Sequence, residues 1–120
     1  NGRSWSVPVR TDFPDATAKF NTLRLNSGVY VMASNPNQSG KRIPLCLSAS
    51  RDGLVFDRMA VLCDTGTVYR YAGKDPGYAG YHYPQLLEHG DSIYVVYSEN
   101  MEDIRMLRLR RAEVERWARE

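Results

Sequence analysis

The sequence predicts an all-β fold, on three observations. Apolar and polar residues alternate with period two along most of the chain. The alternating runs are short and are separated, at even intervals, by clusters of Gly, Asn, Asp, Ser and Pro. Helical periodicity is sustained only at the end, in "RRAEVERWARE". Short antiparallel strands at such spacing fit a sandwich, a barrel or a propeller.

Nine runs read as strands: residues 4–10, 20–25, 29–34, 43–50, 57–63, 67–72, 83–88, 92–98 and 103–110. Their connections carry turn chemistry, with "NSG" at 26–28, "NPNQSGKR" at 35–42, "SRDG" at 50–53 and "HGD" at 89–91. The charged tail 111–120 is expected to form a helical turn or two, with Val114 and Trp117 as its apolar residues.

At 120 residues the chain has the length of one domain, with 42% hydrophobic and 25% charged residues. A net charge of +2 is too small to argue for nucleic acid as a partner, and no apolar run is long enough to span a membrane as a helix. Cys46 and Cys63 are too few for a disulfide framework and read as packed, free thiols, although a cross-strand bridge is conceivable. His82 and His89 with two distant cysteines make no metal set, and no cofactor motif is present.

Two corners repeat one theme. In "SRDGLVF" (50–56) Asp52 is placed to accept backbone N–H bonds across a tight turn, Gly53 supplies a positive φ, and Phe56 fills the space beneath. "NGRSW" (1–5) has the matching tail, with Gly2, a hydroxyl residue and Trp5. These residues resemble the Asp box, S-x-D-x-G-x-[ST]-W, of BNR-repeat propellers, "SRDGLVF" in a form one residue tighter with Phe56 for Trp. Ser50, Asp52, Gly53 and Phe56, with Gly2 and Trp5, are the structural Asp-box residues this resemblance implies.

The resemblance extends to "SVPVRTDFPDATAKF", "ASNP…KRIPLCLSASRDG", "GYHYPQLLEHGDSIYVVYS" and "EDIRMLRL", which look like the C-terminal part of bacterial sialidases and their BNR-repeat relatives. It implies about two blades of a six-bladed β-propeller of four-stranded antiparallel sheets. Residues 1–10 become the end of one blade, 11–75 a complete blade, 76–110 the last blade and 111–120 a charged tail. Since a propeller needs roughly four to eight blades, the resemblance also implies that the chain is part of a larger ring. "NGRSWSVPV" then reads as the back half of a corner that begins before residue 1.

In sialidases three arginines clamp the substrate carboxylate, a Tyr paired with a Glu is the nucleophile, and a separate Asp is the acid/base. The resemblance places Arg42, eight residues ahead of Ser50, as a carboxylate-binding arginine, and Tyr83 of "YPQLL" as the nucleophile. Two departures stand out: Pro84 replaces a Ser, and Ser98 stands where the family has Glu. The partner Glu, the acid/base Asp and the other two arginines are expected in earlier blades.

The residue types suit that chemistry. A guanidinium offers a planar, permanently charged fork to a carboxylate. A phenol avoids the charge repulsion that an attacking carboxylate meets at an anomeric carbon already bearing one, which is why sialidases depart from the two-carboxylate rule. A phenol is neutral at neutral pH, so a carboxylate must take its proton.

Each candidate also has a plainer reading. Arg42 follows Lys41 in a polar loop that solvation alone explains. Tyr81 is the competing phenol, two residues from Tyr83 and on the same face if the strand begins early. Lys19, in the loop "FPDATAKF" with Asp15, is placed to touch an anionic sugar or simply to face water. His82 alternates with both tyrosines and is expected to pack between blades; Glu99 and Asp103 flank the last hairpin.

The expected function is therefore a sialidase-like glycoside hydrolase that removes a terminal, anionic sugar from a glycan or oligosaccharide. The alternatives are a non-catalytic glycan- or protein-binding propeller, or a propeller enzyme acting on uronate-containing polysaccharide. By family analogy the protein is expected to be secreted or periplasmic.

Overall fold

In the computed structural model, which describes residues 2–120, the chain forms two antiparallel sheets. The first contains β1 (Asn21–Arg24), β2 (Tyr30–Ser34), β3 (Leu45–Ser50) and β4 (Arg58–Cys63), each strand beside the next. The second contains β5 (Tyr81–His89), β6 (Ser92–Glu99) and β7 (Asp103–Arg110), and helix α1 (Arg111–Trp117) follows at once. The fold is all-β, and each sheet is the up-and-down meander of a propeller blade, one with four strands and one with three. Every strand coincides with a predicted run to within a residue or two at its ends.

The turns explain the registers. Between β1 and β2, Gly28 takes φ 91° and donates to the Leu25 carbonyl at 2.9 Å, while Leu25 donates to Val29 at 2.8 Å. Between β5 and β6, Gly90 (φ 59°) and Asp91 make a two-residue hairpin closed by the His89–Ser92 pair, with glycine at the first corner where a positive φ is needed.

Two predicted strands are absent. Residues 4–10 form no strand: Trp5, Val7 and Val9 are 89%, 82% and 84% exposed, and the alternation finds no neighbouring edge to bond among the described residues. Gly2 keeps the positive φ of a corner, at 70°, while Asn1 lies outside the described residues. Residues 67–72 are irregular because side chains replace the ladder. Glu102 accepts the Arg70 and Tyr71 N–H groups at 2.9 and 3.1 Å, and the Asn100 amide donates to the Val68 carbonyl at 3.1 Å.

The tail is a packed helix rather than a loose end. Val114 and Ala118 join Leu25, Val29, Val31, Leu47, Ala49 and Ile93 in one core cluster, with Trp117 against it. Glu88 ties the same region together, accepting Asn26 N–H at 2.8 Å and pairing with Arg111 at 3.3 Å. A second cluster of Ala33, Leu45, Tyr81, Val95 and Tyr97 continues the core between the sheets. Burying each of the larger apolar side chains contributes about 1.5–3 kcal/mol.

The meander sorts the connections to two ends. The β1–β2, β3–β4 and β5–β6 turns and α1 lie at one end. Residues 16–20 of the incoming segment and the loops 35–44, 64–80 and 100–102 lie at the other, while Phe13, earlier in that segment, reaches back to Phe56 near the first end. That second end carries the candidate site.

Candidate functional site

The loop between β2 and β3 is cross-linked by Asn37 around its approach to Arg42. Asn37 accepts the Ser39 N–H and hydroxyl through Oδ1 at 2.9 and 2.7 Å, and its amide donates to the Lys41 and Ile43 carbonyls at 3.0 and 3.2 Å. Arg42 then forms an isolated parallel bridge with Gly80, and its carbonyl accepts the Tyr81 N–H at 2.9 Å. A Cβ on Gly80 would fall 2.7 Å from the Arg42 carbonyl oxygen, so the approach of the two sheets requires glycine there. The Arg42 guanidinium donates to the Ala16 carbonyl at 3.2 Å, in the segment that carries Lys19.

Tyr83 is set apart by its backbone. It adopts φ 53° at an irregularity between His82 and Gln85 in the pairing of β5 with β6. A bulky residue in the left-handed region is strained by about 1–3 kcal/mol, and such strain persists only where surrounding structure enforces it. The kink turns Tyr83 outward, 49% exposed, while its neighbours His82 and Pro84 are buried. The Lys19 ammonium lies 5.3 Å from the centroid of the Tyr83 ring.

The kink also separates the two candidate phenols. Tyr81 is 3% exposed, donates to the Thr65 carbonyl at 3.0 Å and sets its ring edge-on to Tyr97 at 5.6 Å. The expectation that Tyr81 and Tyr83 share a face is corrected by the left-handed residue, which breaks strand alternation. His82 is buried, as expected, with Nε2 2.6 Å from the Tyr78 carbonyl. Burial holds its pKa below the ordinary 6.5, and the positive charge of Arg42 adds to this, against the Tyr78 carbonyl.

Lys19, Arg42 and Tyr83 thus lie on one end of the sheets, linked through Ala16, Gly80 and Tyr81. Among the described residues Lys19, Lys41 and Arg42 take part in no ion pair. By contrast Arg70, Lys74, Arg105 and Arg111 are each matched with a carboxylate. Lys19 against the exposed phenol, with Arg42 bonded to the same incoming segment at Ala16, makes a surface suited to an anion. No group of His, Cys, Asp or Glu among the described residues is arranged to hold a metal.

The Asp-box residues are at the opposite end. Ser50 donates to Asp52 Oδ1 at 2.9 Å and accepts the Gly53 N–H at 2.9 Å, and Asp52 Oδ1 accepts the Leu54 and Val55 N–H groups at 2.8 and 2.9 Å. These backbone donors, with the Ser50 hydroxyl after them, hold the Asp52 carboxyl at about 2 instead of 3.8. Gly53 (φ 77°) lies against the Tyr30 ring, where a Cβ would approach to 3.0 Å. Phe56 packs edge-on to Phe13 at 6.1 Å. Trp5 makes no comparable ring contact among the described residues and stands exposed. Cys46 and Cys63 are free, and Cys46 faces Val61 rather than Cys63 across the ladder.

Sequence reasoning missed Asn35, Gly80, Asn100 and Glu102. Asn100 accepts the Gly80 N–H at 2.8 Å and the Thr67 hydroxyl, and Glu102 fixes the 64–80 loop. Most of their partners lie far away in sequence, and the sequence shows Asn35, Asn100 and Glu102 only as polar residues that follow strand-like runs.

Comparison with known protein families matches residues 1–96 to the BNR repeat-like domain. No curated protein and no solved structure matches the chain.

Proposed function

The chain belongs to the BNR repeat-like domain family, and from that premise we propose that it forms one wall of the substrate-binding mouth of a sialidase-like glycoside hydrolase. The observation that carries this reading is that Lys19, against the outward, strained Tyr83, and Arg42, bonded to Ala16 three residues before Lys19, have no carboxylate partner among the described residues.

Arg42 binds the carboxylate of a terminal anionic sugar through the guanidinium face not occupied by Ala16. Lys19 adds positive charge and steadies the Tyr83 ring, a contact worth about 0.5–1 kcal/mol at an exposed site. The Tyr83 oxygen attacks the anomeric carbon as the glycosidic bond breaks and the leaving oxygen takes a proton from an acid. A water then displaces the tyrosine oxygen and releases the sugar. The carboxylate that takes the phenolic proton and the acid/base group are assigned to other blades of the same propeller.

A second reading is favoured by Ser98. It stands where the family has Glu and is spent on strand pairing opposite His82 and Ile104. On that reading the mouth binds an anionic glycan without cleaving it.

Incubation of the intact protein with a fluorogenic α-sialoside separates the two. The hydrolase reading expects fluorophore release and transient mass addition of one sugar on the peptide bearing Tyr83. Saturable sialoside binding with no release supports the binding module, and neither binding nor release removes both.

A further inference from the structure

We propose that Asn35 is a positioning residue that sets Arg42, Lys19 and Tyr83 in their mutual arrangement. The inference rests on the reading of that mouth as a site for an anionic sugar. Asn35 directly follows β2 and is 1% exposed. Its amide nitrogen donates to the carbonyls of Arg42 at 3.1 Å, Pro44 at 2.9 Å and Tyr81 at 3.3 Å. Its backbone carbonyl accepts the Ala16 N–H at 3.2 Å. One residue therefore holds the backbone of all three segments that bear the mouth's side chains: the segment before β1, the β2–β3 loop and the start of β5.

The bond to Tyr81 crosses from one sheet to the other. It acts where the inter-sheet geometry is decided, beside the Gly80–Arg42 bridge and two residues before Tyr83. Arg42 returns its guanidinium to Ala16, whose N–H is held by Asn35, so the circuit closes on the same residue. The Asn35 Oδ1 is buried with no partner among the described residues. The position uses the donors of the amide and leaves its acceptor idle, which a carboxylate or an aliphatic side chain of similar shape cannot reproduce.

The test uses the intact protein with 3-fluorotyrosine in place of tyrosine, the Tyr83 line being assigned by its loss in Tyr83→Phe. Asn35→Ala is expected to move and broaden the Tyr83 line while the line of Tyr30, at the far end of the sheet, stays in place. In calorimetry the same variant is expected to bind N-acetylneuraminic acid about tenfold or more weakly, because small displacements of binding groups are costly. Val31→Ala, a cavity in the same strand away from the mouth, is expected to change that affinity less than about twofold. An unmoved Tyr83 line overturns the proposal, as does an equal loss of affinity in the two variants. If the unaltered protein binds no N-acetylneuraminic acid, the substrate reading fails and the Tyr83 line alone decides the role of Asn35. If Asn35→Ala does not fold, Asn35→Ser, which keeps one donor, gives the same comparison.

Discussion

The Lys19 ammonium stands 5.3 Å from the centre of the Tyr83 ring, joining the segment before β1 to the start of β5. The contact places a mobile charge against the one exposed aromatic of the "YHY" run. Lys19→Ala is expected to weaken binding of a carboxylate sugar by about three- to tenfold, from the lost charge and the freed ring. Because the site is open to solvent, the difference should shrink at high salt. Calorimetry at low and high ionic strength checks both; an effect that is insensitive to salt would point to packing instead of charge.

Gly80 permits the approach of the two sheets at Arg42. Its φ of 138° and the 2.7 Å distance from a built Cβ to the Arg42 carbonyl leave no room for a side chain. Gly80→Ala should lower stability by about 1–3 kcal/mol, the usual scale of enforced backbone strain. It should also weaken sugar binding, since Arg42 must give way. A melt matching the unaltered protein, with intact binding, would show that the bridge is not the constraint proposed.

At the opposite end, Asp52 predicts a pH dependence. The backbone donors of Val55 and Leu54, then Ser50, lower its carboxyl to about 2 from 3.8. A folded value below the unfolded one means that the ionised carboxylate stabilises the corner above the unfolded value. That contribution is lost as pH falls through the folded value. The stability gap between the unaltered protein and Asp52→Asn should therefore narrow from about pH 6 to about pH 2. Denaturation curves across that range measure it, and a constant gap would contradict the assignment.

Glu102 holds the long loop between the sheets through the Arg70 and Tyr71 N–H groups and a 3.4 Å pair with Lys74. Glu102→Gln keeps one acceptor oxygen and loses the charge. Amide exchange at Arg70 and Tyr71 should then speed up by about tenfold or more, while β6 stays protected. Unchanged exchange at both amides would mean that the loop is held by other contacts.

What the sequence revealed follows from how local each signal is. The Asp-box corner was legible because Ser50, Asp52 and Gly53 satisfy one another within four residues. The seven strands were legible because alternation and turn residues coincide. Residues 4–10 and 67–72 alternate equally well, but a strand also needs an edge, and alternation does not report one. The outward turn of Tyr83 was hidden because nothing in "YHYPQ" announces a left-handed tyrosine. Arg42 and Lys19 were found as candidates, whereas Asn35, which bonds across 46 positions to Tyr81, has no local signature.

The central claim is that Tyr83 is the reacting group of an anionic-sugar mouth. The most direct measurement is turnover of a fluorogenic α-sialoside by the intact protein and by Tyr83→Phe, with sugar affinity measured beside it. The account predicts that the variant binds sugar within about threefold of the unaltered protein and loses turnover by about a hundredfold or more, because the hydroxyl is the nucleophile while the ring remains. Equal turnover in the two proteins would contradict it.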